Sequence, residues 1–139
     1  HGTHYLLNQV AEGRISLREL DLTVTYHDPC DLGRGARVFD QPRELIQSIP
    51  GVKLVELTEN REACRCCGGG GNLEMIDAEL SKEIAKQKIE EVIQTGAQAV
   101  VTACQQCVRT LTNGVKDIEA DIEVLDLIEL VWRSMAKKA

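Results

Sequence analysis

Short apolar runs rich in β-branched residues alternate along this chain with helical patterns, and this alternation restricts the possible fold more than any other feature. Four runs have strand character, at residues 22–26, 53–57, 99–102 and 122–125. Parallel strands need long crossover connections, usually helices, and these crossovers are right-handed. We therefore predict an α/β fold: a compact three-layer domain with a four-stranded, mainly parallel sheet.

Helical patterns occupy the intervals between the predicted strands. They lie near residues 1–10, 42–49, 78–95, 104–115 and 126–135. Gly96 is predicted to end the third helix, and Asp126 to cap the N-terminus of the last one. The apolar side of the third helix is predicted to contain Leu80, Ile84, Ala85, Ile89, Val92 and Ile93, and that of the last helix Leu127, Ile128, Val131 and Met135. The core of the sheet is predicted to consist of Val24, Leu54, Val55, Val100, Val101, Ile122 and Val124.

Length and composition limit both the size and the partners of the domain. The 139 residues suffice for one hydrophobic core. A net charge of −6 and 3% aromatic residues argue against nucleic-acid binding, which usually needs a basic face or stacking platforms. No apolar run reaches the length of a membrane span, and no signal peptide is evident. We expect a soluble, cytoplasmic protein, or one peripheral to a membrane complex.

The start of the chain suggests a piece of a larger protein. The first residue is His1 rather than Met, and a helical pattern is already under way at Leu6 and Leu7. We therefore expect residues 1–139 to form a single domain from the C-terminal part of a longer polypeptide, with residues 137–139 as its frayed end.

Six cysteines are distributed as two single residues, an adjacent pair and a CxxC motif: Cys30, Cys64, Cys66, Cys67, Cys104 and Cys107. Cys30 follows the first predicted strand, Cys66 and Cys67 follow the second, and Cys104 follows the third. The carboxyl ends of parallel strands meet at one edge of a sheet. Thiols from distant parts of the sequence should therefore converge there.

Two other uses of these cysteines are compatible with the spacing. Six cysteines could form three disulfides, although secretory features are lacking. Zinc is the more serious alternative, because a CxxC motif and two further cysteines make an ordinary tetrahedral site. Such a site would leave a fifth cysteine unused, whereas a cluster of several metal ions could use five.

Three segments carry a resemblance to a known family: 27–34 (HDPCDLGR), 66–71 (CCGGGG) and 102–107 (TACQQC). Together they resemble the CCG, or cysteine-rich, domain. This domain occurs in heterodisulfide reductases and in iron–sulfur subunits of anaerobic glycerol-3-phosphate dehydrogenase and of glycolate and lactate oxidation systems. The resemblance runs from about Tyr5 to the end of the chain.

The resemblance implies a cluster-bearing domain of an oxidoreductase. Its cofactor would be a [4Fe-4S]-type cluster, which is noncubane in the heterodisulfide reductases, with zinc as a substitute. The implied ligands are Cys30, Cys66, Cys67, Cys104 and Cys107. The implied partners are an upstream ferredoxin-like domain or subunit, a flavin- or quinone-linked redox subunit, and a disulfide substrate. A pure electron-transfer module and a zinc-stabilised structural or docking domain are the competing hypotheses.

The chain also departs from the family pattern. Cys64 lies where the family does not require a cysteine, and we assign it no role. Only one CCG motif set is present, whereas the disulfide-reducing subunits usually carry two. The ferredoxin-like CxxCxxCxxxCP segments that are common upstream in single-CCG relatives are also lacking.

The glycines after the cysteine pair do not form a nucleotide-binding loop, because no Lys-Ser or Lys-Thr follows them. We expect Gly68 and Gly69 to bind the cofactor instead, by allowing backbone N–H groups to approach its sulfur atoms. His27 could donate a proton beside the cluster, but capping the following loop is the simpler interpretation.

Overall fold

The computed structural model describes residues 2–135, so the expectations for His1 and for residues 137–139 lie outside the described part. Four strands form one sheet: β1 (Leu22–His27), β2 (Val52–Leu54), β3 (Ala99–Thr102) and β4 (Glu123–Asp126). Their order is β2-β1-β3-β4, and each neighbouring pair is parallel. The predicted α/β fold is confirmed, with a sheet that is wholly parallel.

Within residues 2–135 there are six helices, and the longer ones pack on the two faces of the sheet. They are α1 (Gly2–Ala11), α2 (Asp40–Gln47), α3 (Leu73–Ile76), α4 (Ala78–Gln94), α5 (Gln105–Asp117) and α6 (Leu127–Ser134). A π-helical turn lies at Asp31–Gly35, and single 3₁₀ turns lie at Arg61–Ala63 and Gly70–Asn72. The short α3 was not predicted. The N-cap at Asp126 is confirmed, because its carboxylate accepts the N–H of Ile128 at 2.8 Å.

Two apolar clusters lie on opposite sides of the sheet. One joins Val24, Tyr26 and Val101 to α1, α2 and α6. The other joins Val100 to α4 and α5 and includes Cys67 and Cys107. The second cluster thus places two cysteines against the sheet, beneath the edge where the strands end.

The structure corrects several details of the predicted core. Val24, Val100 and Val101 are buried as expected, but Leu54, Val55, Ile122 and Val124 are only half-buried. Strand β2 ends at Leu54 instead of Leu57, because it lies at the sheet edge and pairs only with β1. Leu57 is nevertheless buried, in the second cluster.

Three residues assigned to apolar helix faces are exposed: Leu80 by 48%, Ile93 by 47% and Ile128 by 60%. Helix α4 buries Ala85, Ile89 and Val92 as predicted. It also buries the polar residues Ser81 and Lys88. A Cβ on Gly114 of α5 would lie 3.1 Å from the backbone of Ala85, so small residues set how closely these helices approach. Among residues 2–135, no helix is both long enough and apolar enough to cross a membrane.

Candidate metal centre

The carboxyl ends of three strands bring all six cysteines to one cavity. Cys30 follows β1, the segment from Cys64 to Cys67 follows β2, and Cys104 and Cys107 lie at the start of α5, directly after β3. These thiols line a cavity of about 170 Å³. The predicted convergence of distant thiols is therefore observed, and Cys64 is included in it.

Burial divides the cysteines into an inner and an outer group. Cys64, Cys67 and Cys107 are buried, Cys104 is half-buried, and Cys30 and Cys66 are exposed. Donor atoms of His27, Cys67 and Cys107 all lie within 4.8 Å of one another. The floor of the cavity is thus a tight group of metal-binding atoms, while its mouth opens to solvent beside Cys30 and Cys66.

His27 is an unexpected component of this floor. Side chains alternate along β1, so His27 shares a face with Thr25 and points away from the side occupied by Val24 and Tyr26. Its ring is 1% exposed, and its Nδ1 lies 3.6 Å from the Sγ of Cys64. This placement differs from the loop-capping role expected from the sequence. The alternation of residues in β1 was the signal that could have revealed it.

The histidine and the thiols shift one another's proton affinities. Burial alone would lower the pKa of His27, but hydrogen bonds and charges from Cys64 and Cys67 raise it to about 9. A hydrogen bond with Cys107 lowers the pKa of Cys67 to about 4, and His27 and the N–H of Gly69 act in the same direction. The same hydrogen bond raises the pKa of Cys107. The floor therefore favours a Cys67 thiolate beside a protonated His27.

The pKa values of two other cysteines are shifted in opposite directions. Partial desolvation of the largely exposed Cys30 thiol raises its pKa, and the charge of Asp31 adds to this effect. Burial would also raise the pKa of Cys64, but the hydrogen bond and charge of His27, together with the charge of Lys88, lower it. Cys64 is thus a buried thiol held among positive charges.

Backbone N–H groups of the glycine run point to the sulfur atoms of the cysteine pair. Gly68 donates to the Sγ of Cys66 at 3.3 Å, and Gly69 donates to the Sγ of Cys67 at 3.5 Å. Gly68 has a φ of +95°, and a Cβ there would lie 2.5 Å from the carbonyl oxygen of Ser81. Position 68 therefore requires glycine for both its conformation and its packing.

Helix α5 directs its N-terminus at the cavity. Cys104 is the N-cap residue, and Cys107 lies in the first turn. The unpaired N–H groups and the dipole at this end favour negative charge on nearby sulfur. The predicted position of the CxxC motif at a helix start is confirmed.

A buried ion pair supports the turn that carries Cys30. The Arg43 guanidinium donates to both carboxylate oxygens of Asp28, at 2.7 and 2.8 Å, and also to Glu56 at 2.6 Å. The side chains of Arg43 and Asp28 are only 5% and 2% exposed. The sequence analysis missed this pair. An acidic residue directly after a strand, and an arginine between apolar helix positions, were the available signals.

The fold and the site together define an α/β cysteine-rich domain with a multi-thiol centre at the carboxyl ends of its strands. The model of the CCG family, a cysteine-rich domain, matches residues 24–112, and the chain belongs to this family. The match includes Cys30, the Cys66–Cys67 pair and the CxxC motif.

Several curated proteins are similar to almost the whole chain. One relative is a subunit of the dihydromethanophenazine:CoB–CoM heterodisulfide reductase of Methanosarcina acetivorans. The two sequences are 40% identical over 136 residues, which cover 97% of this chain and 33% of that relative. Identity is 35% with a probable iron–sulfur-binding oxidoreductase of Bacillus subtilis and 32% with an EtfAB:quinone oxidoreductase of Syntrophomonas wolfei. In both cases 97% of this chain covers 20% of the relative. The chain thus spans a third or less of the length of these relatives.

Proposed function

We propose that this domain binds an iron–sulfur cluster and carries electrons as part of an oxidoreductase. The observation that carries the proposal is the convergence of six thiols from three separate segments on one cavity. Soft thiolate ligands are those that iron–sulfur clusters use. The similarity to a probable iron–sulfur-binding oxidoreductase supports the same function.

We assign five cluster ligands: Cys30, Cys66, Cys67, Cys104 and Cys107. All five line the cavity. Five thiolates exceed the four positions of a tetrahedral zinc ion, which favours a [4Fe-4S]-type cluster with more than one metal ion. The cluster, when bound, would accept and release single electrons. Cys64 also lines the cavity, but it remains outside this set because the family pattern does not require a cysteine at its position.

The protein's own groups would prepare the site for a negatively charged cluster. The N–H groups of Gly68 and Gly69 already point to thiol sulfurs, and hydrogen bonds to sulfur influence the reduction potential of such clusters. The α5 N-terminus adds favourable positive potential near Cys104 and Cys107. His27 holds a proton at the inner wall, where its Nδ1 contacts Cys64.

The open mouth favours substrate chemistry over electron transfer alone. Cys30 and Cys66 are exposed at the opening, so a thiol or disulfide could reach a cluster bound there. We therefore propose disulfide reduction as the reaction of the site. A ferredoxin-like domain or subunit and a flavin- or quinone-linked subunit would exchange electrons with it, in keeping with the names and greater lengths of the relatives.

Anaerobic reconstitution with iron and sulfide tests this proposal. We expect broad visible absorption that bleaches with dithionite, returns on mild oxidation, and changes when an excess of a small thiol is added. Reversible bleaching without a thiol effect would support electron transfer and contradict disulfide chemistry. A colourless protein that binds one zinc ion and no iron would favour the structural-domain alternative.

A further inference from the structure

Lys88 occupies a position where a lysine is rarely found. It lies on the buried side of α4 together with Ser81, Ala85, Ile89 and Val92. Its side chain is 1% exposed, whereas Lys82 on the same helix is 57% exposed. Burial of a charged group is unfavourable unless the charge is paired. Lys88 thus places a charged side chain in the interior, where it needs a partner of opposite charge.

The ammonium group of Lys88 is paired with one carboxylate, and the pair leads to the cysteine segment. Its Nζ lies 2.6 Å from Glu91, whose side chain is 23% exposed. The other oxygen of Glu91 lies 3.4 Å from the guanidinium of Arg65. Arg65 stands between Cys64 and Cys66 and also pairs with Glu59. Lys88 is thus the inner end of a charged network that reaches the thiol-bearing segment.

The residues on either side of Lys88 along α4 contact the same segment. The hydroxyl of Ser81 donates to the carbonyl of Gly68 at 2.8 Å. Ile89 packs in the apolar cluster that contains Cys67 and Cys107. Lys88 therefore lies on the helix surface that supports the inner wall of the cavity.

We propose that Lys88 is a positioning residue that raises the reduction potential of the bound cluster by placing a buried positive charge behind the cysteine segment. Reduction adds an electron, and the Lys88 ammonium offsets the negative charge of Glu91, which would otherwise disfavour the reduced state. Water and salt screen a buried charge much less than an exposed one. The inference rests on the proposed function and extends it, because it names a residue outside the ligand set that influences the reduction potential of the cluster.

Potentiometric titration of the reconstituted chain tests this inference, because a merely structural role would not change the potential of an intact cluster. We expect Lys88→Met to shift the midpoint to more negative values and Lys88→Arg to keep it close to that of the unchanged protein. Lys86→Met, at an exposed position on the same helix, is the control and should leave the midpoint unchanged.

Equal midpoints for the unchanged protein and Lys88→Met would overturn the inference while leaving the proposed cluster in place. An equal shift in Lys86→Met would also overturn it, because the effect would then be one of net charge. If Lys88→Met takes up no cluster, Lys88→Gln replaces it. If neither Lys88→Met nor Lys88→Gln takes up a cluster while Lys88→Arg does, the lysine acts in folding, and the inference is overturned. An unchanged protein without any redox-active cluster would overturn the proposed function, and this inference with it.

Discussion

The backbone N–H of Arg61 donates a 2.8 Å hydrogen bond to the Oδ2 of Asp28, across 33 positions of sequence. Asp28 stands two residues before Cys30, and Arg61 begins the turn that leads to Cys64. The same carboxylate accepts two hydrogen bonds from the buried Arg43. One side chain thus joins two thiol-bearing segments to each other and to α2, independently of any metal.

Asp28→Asn should therefore destabilise the chain and loosen the site. It removes one of the two carboxylates that pair with the buried Arg43 and leaves Glu56 as its partner. The loss of a hydrogen bond between charged groups typically costs about 1.5–3 kcal/mol. Urea unfolding of the cluster-free protein measures this loss. Glu62→Gln is the control, because Glu62 forms an exposed pair with Arg37 and should cost less than about 1 kcal/mol. Equal stability of the two variants would show that Asp28 does not hold the segments together.

Gly69→Ala should impair the site, whereas Gly70→Ala should be tolerated. A Cβ at position 69 would overlap the hydroxyl of Thr110 and lie 2.8 Å from Nε2 of Gln106. Overpacking of this kind costs about 1–3 kcal/mol. At position 70 the nearest atom is the Sγ of Cys66 at 3.6 Å, an ordinary contact. Melting temperature and iron retention measure the difference, and similar values for both variants would contradict the assigned close packing.

Comparing Cys64→Ser with Cys67→Ser should distinguish the proposed ligand Cys67 from Cys64, the thiol outside the ligand set. Both residues are buried and both lie near His27, so the two substitutions disturb similar surroundings. We expect Cys64→Ser to keep its iron and Cys67→Ser to lose most of it. Iron and sulfide content after identical anaerobic reconstitution provides the measurement. Equal loss in both variants would show that Cys64 belongs to the ligand set.

Thiol reactivity in the cluster-free chain should depend on pH differently at Cys67 and Cys30. The pKa of Cys67 is lowered to about 4, so its thiolate is already formed at pH 6 and its rate should stay nearly constant up to pH 8. The pKa of Cys30 is raised, so its rate should increase roughly tenfold per pH unit. Iodoacetamide labelling followed by peptide mass spectrometry distinguishes the two. A tenfold rise per pH unit at Cys67 would contradict the assigned pairing with His27 and Cys107.

The architecture could be predicted from the sequence because the strands are short runs of β-branched residues with clear helical patterns between them. The thiols also follow those strands, so their convergence was predictable from parallel-sheet geometry. Leu80 and Ile93 were misplaced because α4 is oriented by features that hydrophobicity does not report. These are the contact of Ser81 with Gly68 and the close approach of Ala85 to Gly114.

The supporting charges were missed for a related reason. Asp28 and Arg43 are buried because they satisfy each other, and Lys88 is buried because Glu91 pairs with it. Such pairs depend on tertiary geometry, whereas single-sequence patterns assign charged residues to the surface. His27 was misjudged because its strand extends one residue further than the apolar run indicated.

The central claim is that five cysteines of this chain hold an iron–sulfur cluster. Quantitative iron, acid-labile sulfide and zinc analysis of the anaerobically reconstituted protein tests it most directly. The account predicts several irons and a matching amount of sulfide per chain, with little zinc. One zinc ion per chain without sulfide, under the same conditions, would contradict it.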